Sequence, residues 1–147
     1  MKKTIPLCIP YLDQREKNIL LEILESGWLT HGPYNKKLEE QFCKLLGVKH
    51  AVCVNSCTSA LELAIKATRI TGEVIVPSFT WVASANAIVT GGATPVFCDS
   101  DIKTRNVTSE YLESVLTRKT EAVMVVHYGG QCCPMDSIYN FCKKNNL

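Results

Sequence analysis

Four short apolar runs govern what this chain can fold into: Ala51 to Val54, Glu73 to Pro77, Thr94 to Cys98 and Ala122 to Val126. They are apolar along most of their length instead of alternating with polar residues. That habit belongs to strands covered on both faces, as in parallel sheets. Between the runs, apolar residues recur at helical spacing. The pattern predicts an α/β fold, a three-layer, mainly parallel sheet with helices on both faces. Ligands of such sheets sit beyond the carboxyl ends of the strands. Those ends present Asn55 to Ser59, Ser78 to Trp81, Asp99 and His127 to Gly130.

The first run carries the sharpest local signal. It stops at Asn55-Ser56, and Ala60, Leu61, Leu63, Ala64, Ile65 and Ala67 then follow a helical period as far as Gly72. A side-chain oxygen of Asn55 or Ser56 can accept a first-turn N–H and cap that helix. Small residues at Cys57, Thr58 and Ser59 leave room for an anion against the free N–H groups and the positive end of the dipole. An ordinary capped helix explains the same residue types.

Residues 1–11 read as extended, with Pro6 and Pro10 opposing helix. Leu12 to Ser26 reads as an amphipathic helix, with Ile19, Leu20, Ile23 and Leu24 as its stripe and Gly27 as its end. A loop from Trp28 to Pro33 leads to a second helix, Tyr34 to Leu46, with Leu38, Phe42, Leu45 and Leu46 inward and Gly47 as its stop. Further helices are expected over Thr80 to Val89, broken by Gly91-Gly92, and from a Thr108 or Ser109 cap through Leu116. Asp136 caps a last one containing Ile138, Phe141 and Cys142.

A chain of 147 residues, 46% apolar and 20% charged, fits one globular domain of ordinary size. A net charge of +2 gives no footprint for nucleic acid or an anionic membrane, and no stretch approaches a membrane span. Met1-Lys2-Lys3 is followed by prolines and charges with no apolar core of a signal peptide, so a cytoplasmic protein is expected. The eight cysteines include no C-x-x-C pair, and no metal site is expected. Cys43, Cys53, Cys98 and Cys142 read as small buried hydrophobes. Cys57 differs, because a helix N-terminus stabilises a thiolate.

At this level of detail the sequence resembles a known family. Asn55-Ser56-Cys57-Thr58-Ser59-Ala60-Leu61, Glu73 through Ala87 and Gly92 through Phe97 are similar to the pyridoxal-phosphate sugar aminotransferases of the DegT/DnrJ/StrS group. So are Gly27 through Pro33 and Val126-His127-Tyr128-Gly129-Gly130. The resemblance implies the large domain of a fold-type I aminotransferase that acts on nucleotide-linked keto sugars for surface polysaccharides and antibiotics. It implies that Cys57, Thr58 and Ser59 seat the cofactor phosphate, that Trp81 stacks on the pyridine ring and that His127 lies beside the pocket. Taken alone, Trp81 reads first as a core aromatic and His127 as a structural histidine. The resemblance also places Trp28, Leu29 and Thr30 in a loop that approaches the substrate, often across a homodimer.

Two departures from the family pattern matter. Cys57 stands where the family usually has glycine. The family's cofactor-linking lysine and the carboxylate facing the pyridinium nitrogen fall after the helix ending here at Leu147, so no catalytic residue is assigned. The lysines present read as solvated faces, termini and turns. The expectation is residues 1–147 as an N-terminal segment plus part of the cofactor-binding large domain, without the C-terminal small domain. Such a truncated chain is expected to bind pyridoxal 5'-phosphate only non-covalently and to be inactive alone. Two other readings stand beside it: a non-catalytic subunit pairing with a full-length homologue, and a thiol enzyme or redox sensor using Cys57.

Overall fold

Three parallel strands in the order β2-β1-β3 form the centre of the larger unit: β1 (Glu73–Pro77), β2 (Thr94–Cys98) and β3 (Thr120–Val123). The computed structural model describes Ile5, Pro6 and residues 8–147. It divides into two compact units, Met1–Cys53 and Val54–Leu147.

In the larger unit the strand period of two sends alternate residues to opposite faces. Val74 and Val76 pack with Ile65, Ile88 and Ala93 on one side. Those partners come from α3 (Cys57–Thr68), α4 (Val82–Gly91) and the turn after it. Ile75 packs on the other side with Cys98, Val107, Leu112, Cys133, Ile138 and Phe141, which brings in α5 (Ser109–Val115) and α6 (Met135–Asn145). Val74, Ile75 and Val76 are each at most 1% exposed. The central strand is therefore covered on both faces, as its continuous apolar run requires, while Phe97 of β2 is 53% exposed.

The ladder between β1 and β3 has a physical limit at each end. In a parallel pair the N–H and C=O of one residue point to the same neighbour, and those of the next residue point the other way. Ile75 accepts from Met124 on the β3 side (2.8 Å), while Ser78 donates to Cys98 on the β2 side (2.8 Å). Pro77 is the next residue due to face β3 and has no N–H to give. Pairing with β3 therefore covers Thr120–Val123, not the Ala122 to Val126 expected from hydropathy. At the other end Glu121 is a bulge residue, since Glu73 pairs with Thr120 and Val74 with Ala122. Its carboxylate accepts the N–H groups of Thr71 (2.9 Å) and Gly72 (3.0 Å), fastening the turn that enters β1.

Several boundaries differ from the sequence reading. Ala51 to Val54 is extended but pairs with no described strand; Val52 is 76% exposed, and the Cys53 N–H goes to the Glu39 carboxylate (2.8 Å) instead of a ladder. Helix α3 ends on Arg69 in the left-handed conformation, before Gly72. Helix α4 starts at Val82, because Trp81 is extended and serves as its N-cap residue, and ends on Gly92. Helix α6 starts one residue before Asp136, which lies in the first turn with Pro134 as N-cap. Thr108 is the N-cap of α5.

The smaller unit holds α1 (Gln14–Ser26) and α2 (Pro33–Leu46). Asp13 and Glu16 make a capping box at the start of α1, and Gly27 and Gly47 end the two helices in the left-handed conformation. The Tyr34 hydroxyl donates to Glu22 (3.1 Å), tying α2 to α1. Neither helix has a buried residue. Leu38, Phe42, Leu45 and Leu46 were expected inward and are 46–78% exposed. Two helices alone supply no third surface to cover those stripes. The expected extended start falls partly, at residues 1–4 and 7, outside the described residues; Ile5, Pro6 and 8–12 form no helix or strand.

Candidate functional site

The segments that follow β1 and β3 meet at one cleft of about 390 Å³, which Asp99 at the end of β2 does not line. Trp81 and His127, on separate elements, both line it. Thr80 and Trp81 reach it from the β1–α4 turn and Ser84 from the first turn of α4, and the Thr80 and Ser84 hydroxyls bond to each other (2.8 Å). Phe79 and Tyr128 form an aromatic wall, with ring centroids 4.8 Å apart and planes tilted by 45°. Trp81 is 78% exposed, so the core-aromatic reading of this residue does not hold. None of the cleft-lining residues is acidic, and none is a lysine.

His127 is aimed by its surroundings. It opens a 3-10 turn, Tyr128–Gly130, in which Gly129 and Gly130 both take positive φ (61° and 81°), a conformation open to glycine at little cost. The N–H of Cys133 donates to His127 Nδ1 (3.1 Å). An accepting Nδ1 places the ring hydrogen of the neutral form on Nε2. Burial pushes the Cys133 thiol above its ordinary range, so it stays protonated and donates to the Val126 carbonyl (3.3 Å).

The start of α3 stands at the same edge of the sheet. Helix α3 leads by a short turn into the beginning of β1, and α4 leads from the end of β1 to β2. Gly91, at the end of α4, lies against Ile65 in the third turn of α3. The two helices thus run side by side in one direction, and both begin at the carboxyl end of the strands. At the head of α3 Ser56 Oγ accepts the Ser59 N–H (3.2 Å), and Ser59 Oγ donates to Asn55 Oδ1 (2.8 Å). The N–H groups of Cys57 and Thr58 have no protein partner among the described residues. Cys57 and Thr58 are exposed and Ser59 is half-buried. Two unfilled donors, adjacent hydroxyls and a helix dipole make a site that suits an oxyanion. These three residues do not line the cleft of Trp81 and His127.

In the smaller unit Trp28, Leu29 and Thr30 line a separate cleft of about 310 Å³ with Ile23, Tyr34 and Leu38. Trp28 Nε1 donates to the His31 carbonyl (2.9 Å), and the indole lies over Gly32. A Cβ there would meet Nε1 at 2.0 Å, so glycine is required for the loop to close.

The cysteines divide by exposure. Cys98 is buried, and that burial, with the charge of Asp99, pushes its thiol up to about 11. Cys43, Cys53 and Cys142 are half-buried, short of the burial expected, while Cys57 is exposed. Among the described residues no cluster of three or more metal-ligating side chains occurs. No described helix is long and apolar enough to cross a membrane.

Some residues of the site carried no individual signal in the sequence. Ser84 reaches the cleft from the first turn of α4, where its hydroxyl meets that of Thr80. Asn106 bonds Tyr128 and Gln131 across 22 and 25 residues, a separation that periodicity does not report.

Comparison with known proteins agrees with this architecture. The model of the DegT/DnrJ/EryC1/StrS aminotransferase family matches residues 10–147. The chain is 44% identical over 145 residues to the spore coat polysaccharide biosynthesis protein SpsC of Bacillus subtilis, covering 97% of this chain and 37% of SpsC. It superposes on Helicobacter pylori PseC, an aminotransferase involved in the biosynthesis of pseudoaminic acid, with a TM-score of 0.84 at 36% identity, covering 94% of this chain and 38% of PseC. It also superposes on the E. coli GDP-4-keto-6-deoxy-D-mannose-3-dehydratase with bound hydrated pyridoxal phosphate, with a TM-score of 0.89 at 30% identity over 98% and 39% of the two chains. The chain spans less than two-fifths of the length of each of these relatives, but the family model covers nearly all of it, and the chain belongs to the DegT/DnrJ/EryC1/StrS aminotransferase family.

Proposed function

We propose that this chain forms the phosphate seat and ring-binding wall of a pyridoxal-phosphate-dependent aminotransferase acting on a nucleotide-linked keto sugar. The observation that carries the reading is that the free N–H groups of Cys57 and Thr58 and the cleft of Trp81 and His127 share one edge of the sheet. The SpsC and PseC names support sugar chemistry, and the GDP-sugar dehydratase supports a nucleotide carrier.

Each residue has a distinct task. The N–H groups of Cys57 and Thr58, with the Thr58 hydroxyl, would donate to the phosphate oxygens, and the Ser59 hydroxyl would join them by turning from Asn55 Oδ1. The exposed indole of Trp81 covers one face of the pyridine ring and keeps water from it. His127 offers its Nε2–H toward the cleft while Nδ1 stays committed to Cys133. When bound, the cofactor supplies an electron sink for moving an amino group. With no lysine on the cleft wall, the chain as it stands holds the cofactor without a covalent bond and carries out no transamination alone. Trp28, Leu29 and Thr30 contribute to the sugar site, and a homodimer or a full-length homologue supplies what they face. The setting is the cytoplasm.

The test is calorimetric titration with pyridoxal 5'-phosphate and with pyridoxal, followed by borohydride treatment and intact mass. Saturable binding of the phosphorylated form alone, with no adduct after reduction, is expected. Equal binding of both compounds would remove the phosphate seat from the account, and a stoichiometric adduct on one lysine would refute the non-covalent reading.

A further inference from the structure

Asn106 is 2% exposed and does not line the cleft, yet its carboxamide holds the turn that does. Its Oδ1 accepts the Tyr128 N–H (3.0 Å), and its Nδ2 donates to the Gln131 carbonyl (2.9 Å). The donor on one side and the acceptor on the other fix which way the amide points. The bonds span the turn from its first residue to the residue just past it. Asn106 is itself anchored: its N–H donates to Thr104 Oγ1 (3.3 Å), and its carbonyl accepts the Asp101 N–H (2.9 Å). The Asp101 carboxylate in turn accepts the N–H of Thr104 (2.8 Å) and of Lys103 (3.0 Å). A closed loop on one segment thus clamps a turn on another.

From this we infer that Asn106 is a positioning residue of the ring-binding wall. It acts through Tyr128, which packs on Phe79, and through His127, whose ring is fixed two residues beyond the clamp by Cys133. A turn with two consecutive positive-φ glycines has many conformations open to it, and one buried carboxamide selects the one that faces the cleft. The inference rests on the proposed cofactor reading for the ligand and on geometry alone for the clamp. The ligand class is a planar aromatic ring bearing a phosphate, and Asn106 governs the ring, not the phosphate.

The test uses the full chain. In the unaltered protein the Tyr128 amide hydrogen should exchange with solvent at least tenfold more slowly than that of Gly129, whose N–H has no protein partner among the described residues. Equal rates would overturn the clamp without any variant. Asn106→Ala should weaken pyridoxal phosphate binding at least fivefold, leave inorganic phosphate binding unchanged and alter the imidazole nitrogen shifts of His127. Asn106→Asp, which keeps only the acceptor, should fall between. Ile70→Ala, which thins the core before the amino end of β1 and away from the cleft, serves as the stability control, lowering the melting temperature without changing ring affinity. Equal loss of ring affinity in the control would show a merely structural effect and overturn the inference. Should the unaltered chain bind no pyridoxal phosphate, the cofactor reading fails, and His127 decides alone: altered shifts in Asn106→Ala or Asn106→Asp support positioning, and unaltered shifts refute it.

Discussion

Ile65 Cγ2 lies 2.3 Å from where a Cβ on Gly91 would sit, so helices α3 and α4 touch at their ends with backbone against side chain. That contact fixes the two helices side by side and brings their starting residues, Cys57 and Val82, to one edge of the sheet. The candidate site depends on this arrangement more than on any residue inside the cleft. Gly91→Ala should therefore cost about 1–3 kcal/mol of stability through overpacking against a side chain that is 5% exposed. Urea unfolding followed by circular dichroism measures it, and a change within experimental error would mean that the helices separate freely.

Trp81 allows stability and binding to be separated. Its ring is mostly in solvent, so Trp81→Ala should leave the unfolding midpoint nearly unchanged. The same change should weaken pyridoxal phosphate by about three- to tenfold, the range expected for one lost aromatic contact. Trp81→Phe should recover part of the affinity. Calorimetry on the three proteins checks both statements.

Acid should lower the stability of the larger unit through named carboxylates. The N–H groups of Gly72 and Thr71 hold Glu121 below the usual carboxylate range, and the N–H and hydroxyl of Thr104 do the same for Asp101. A depressed folded-state value means that the unfolded chain takes up protons first. These groups therefore add their full stabilisation above a pH of about 4–5 and lose it as the pH falls through the lower folded values. Urea midpoints measured between pH 7 and pH 3 should be level and then decline, with a shallower decline in Glu121→Gln.

Thiol reactivity should follow burial. Cys8, Cys57 and Cys132 are exposed, whereas Cys98 and Cys133 are buried with their thiols raised above the ordinary range. Brief iodoacetamide treatment at pH 8 should label the first three and spare the last two until urea is added. Peptide mass mapping reads the order, and early labelling of Cys98 would contradict its place in the core.

Gly32 tests the smaller unit. Any side chain there collides with the Trp28 indole, so Gly32→Ala should break the bond from Trp28 to the His31 carbonyl. Fluorescence emission should shift to the red in Gly32→Ala on a Trp81→Phe background. Melting of the larger unit should stay where it was.

Much of this architecture was legible in the sequence for a physical reason. Glu73–Pro77 matches its hydropathic run because a strand buried on both faces must be apolar along its length, and Thr94–Cys98 matches its run although Phe97 is 53% exposed. Ser56, Gly27 and Gly47 announced helix ends through capping chemistry, which acts between near neighbours. The limits of β3 were not legible, since they depend on the missing N–H of Pro77 on another strand and on the bulge at Glu121. The exposed stripes of α1 and α2 follow a helical period that is the same whether or not a partner covers them. In the site, Trp81 and His127 stood at recognisable strand ends. Asn106 did not, because its role appears only once distant segments meet.

The most direct test of the cofactor reading follows the fluorescence of Trp81 during pyridoxal phosphate titration in a Trp28→Phe background, where Trp81 is the remaining tryptophan. The emission should quench along a saturating curve, and the quench should weaken when inorganic phosphate competes for the head of α3. An unchanged emission at saturating ligand, or a quench indifferent to phosphate, would contradict a cofactor anchored beside Thr58 and covered by that indole.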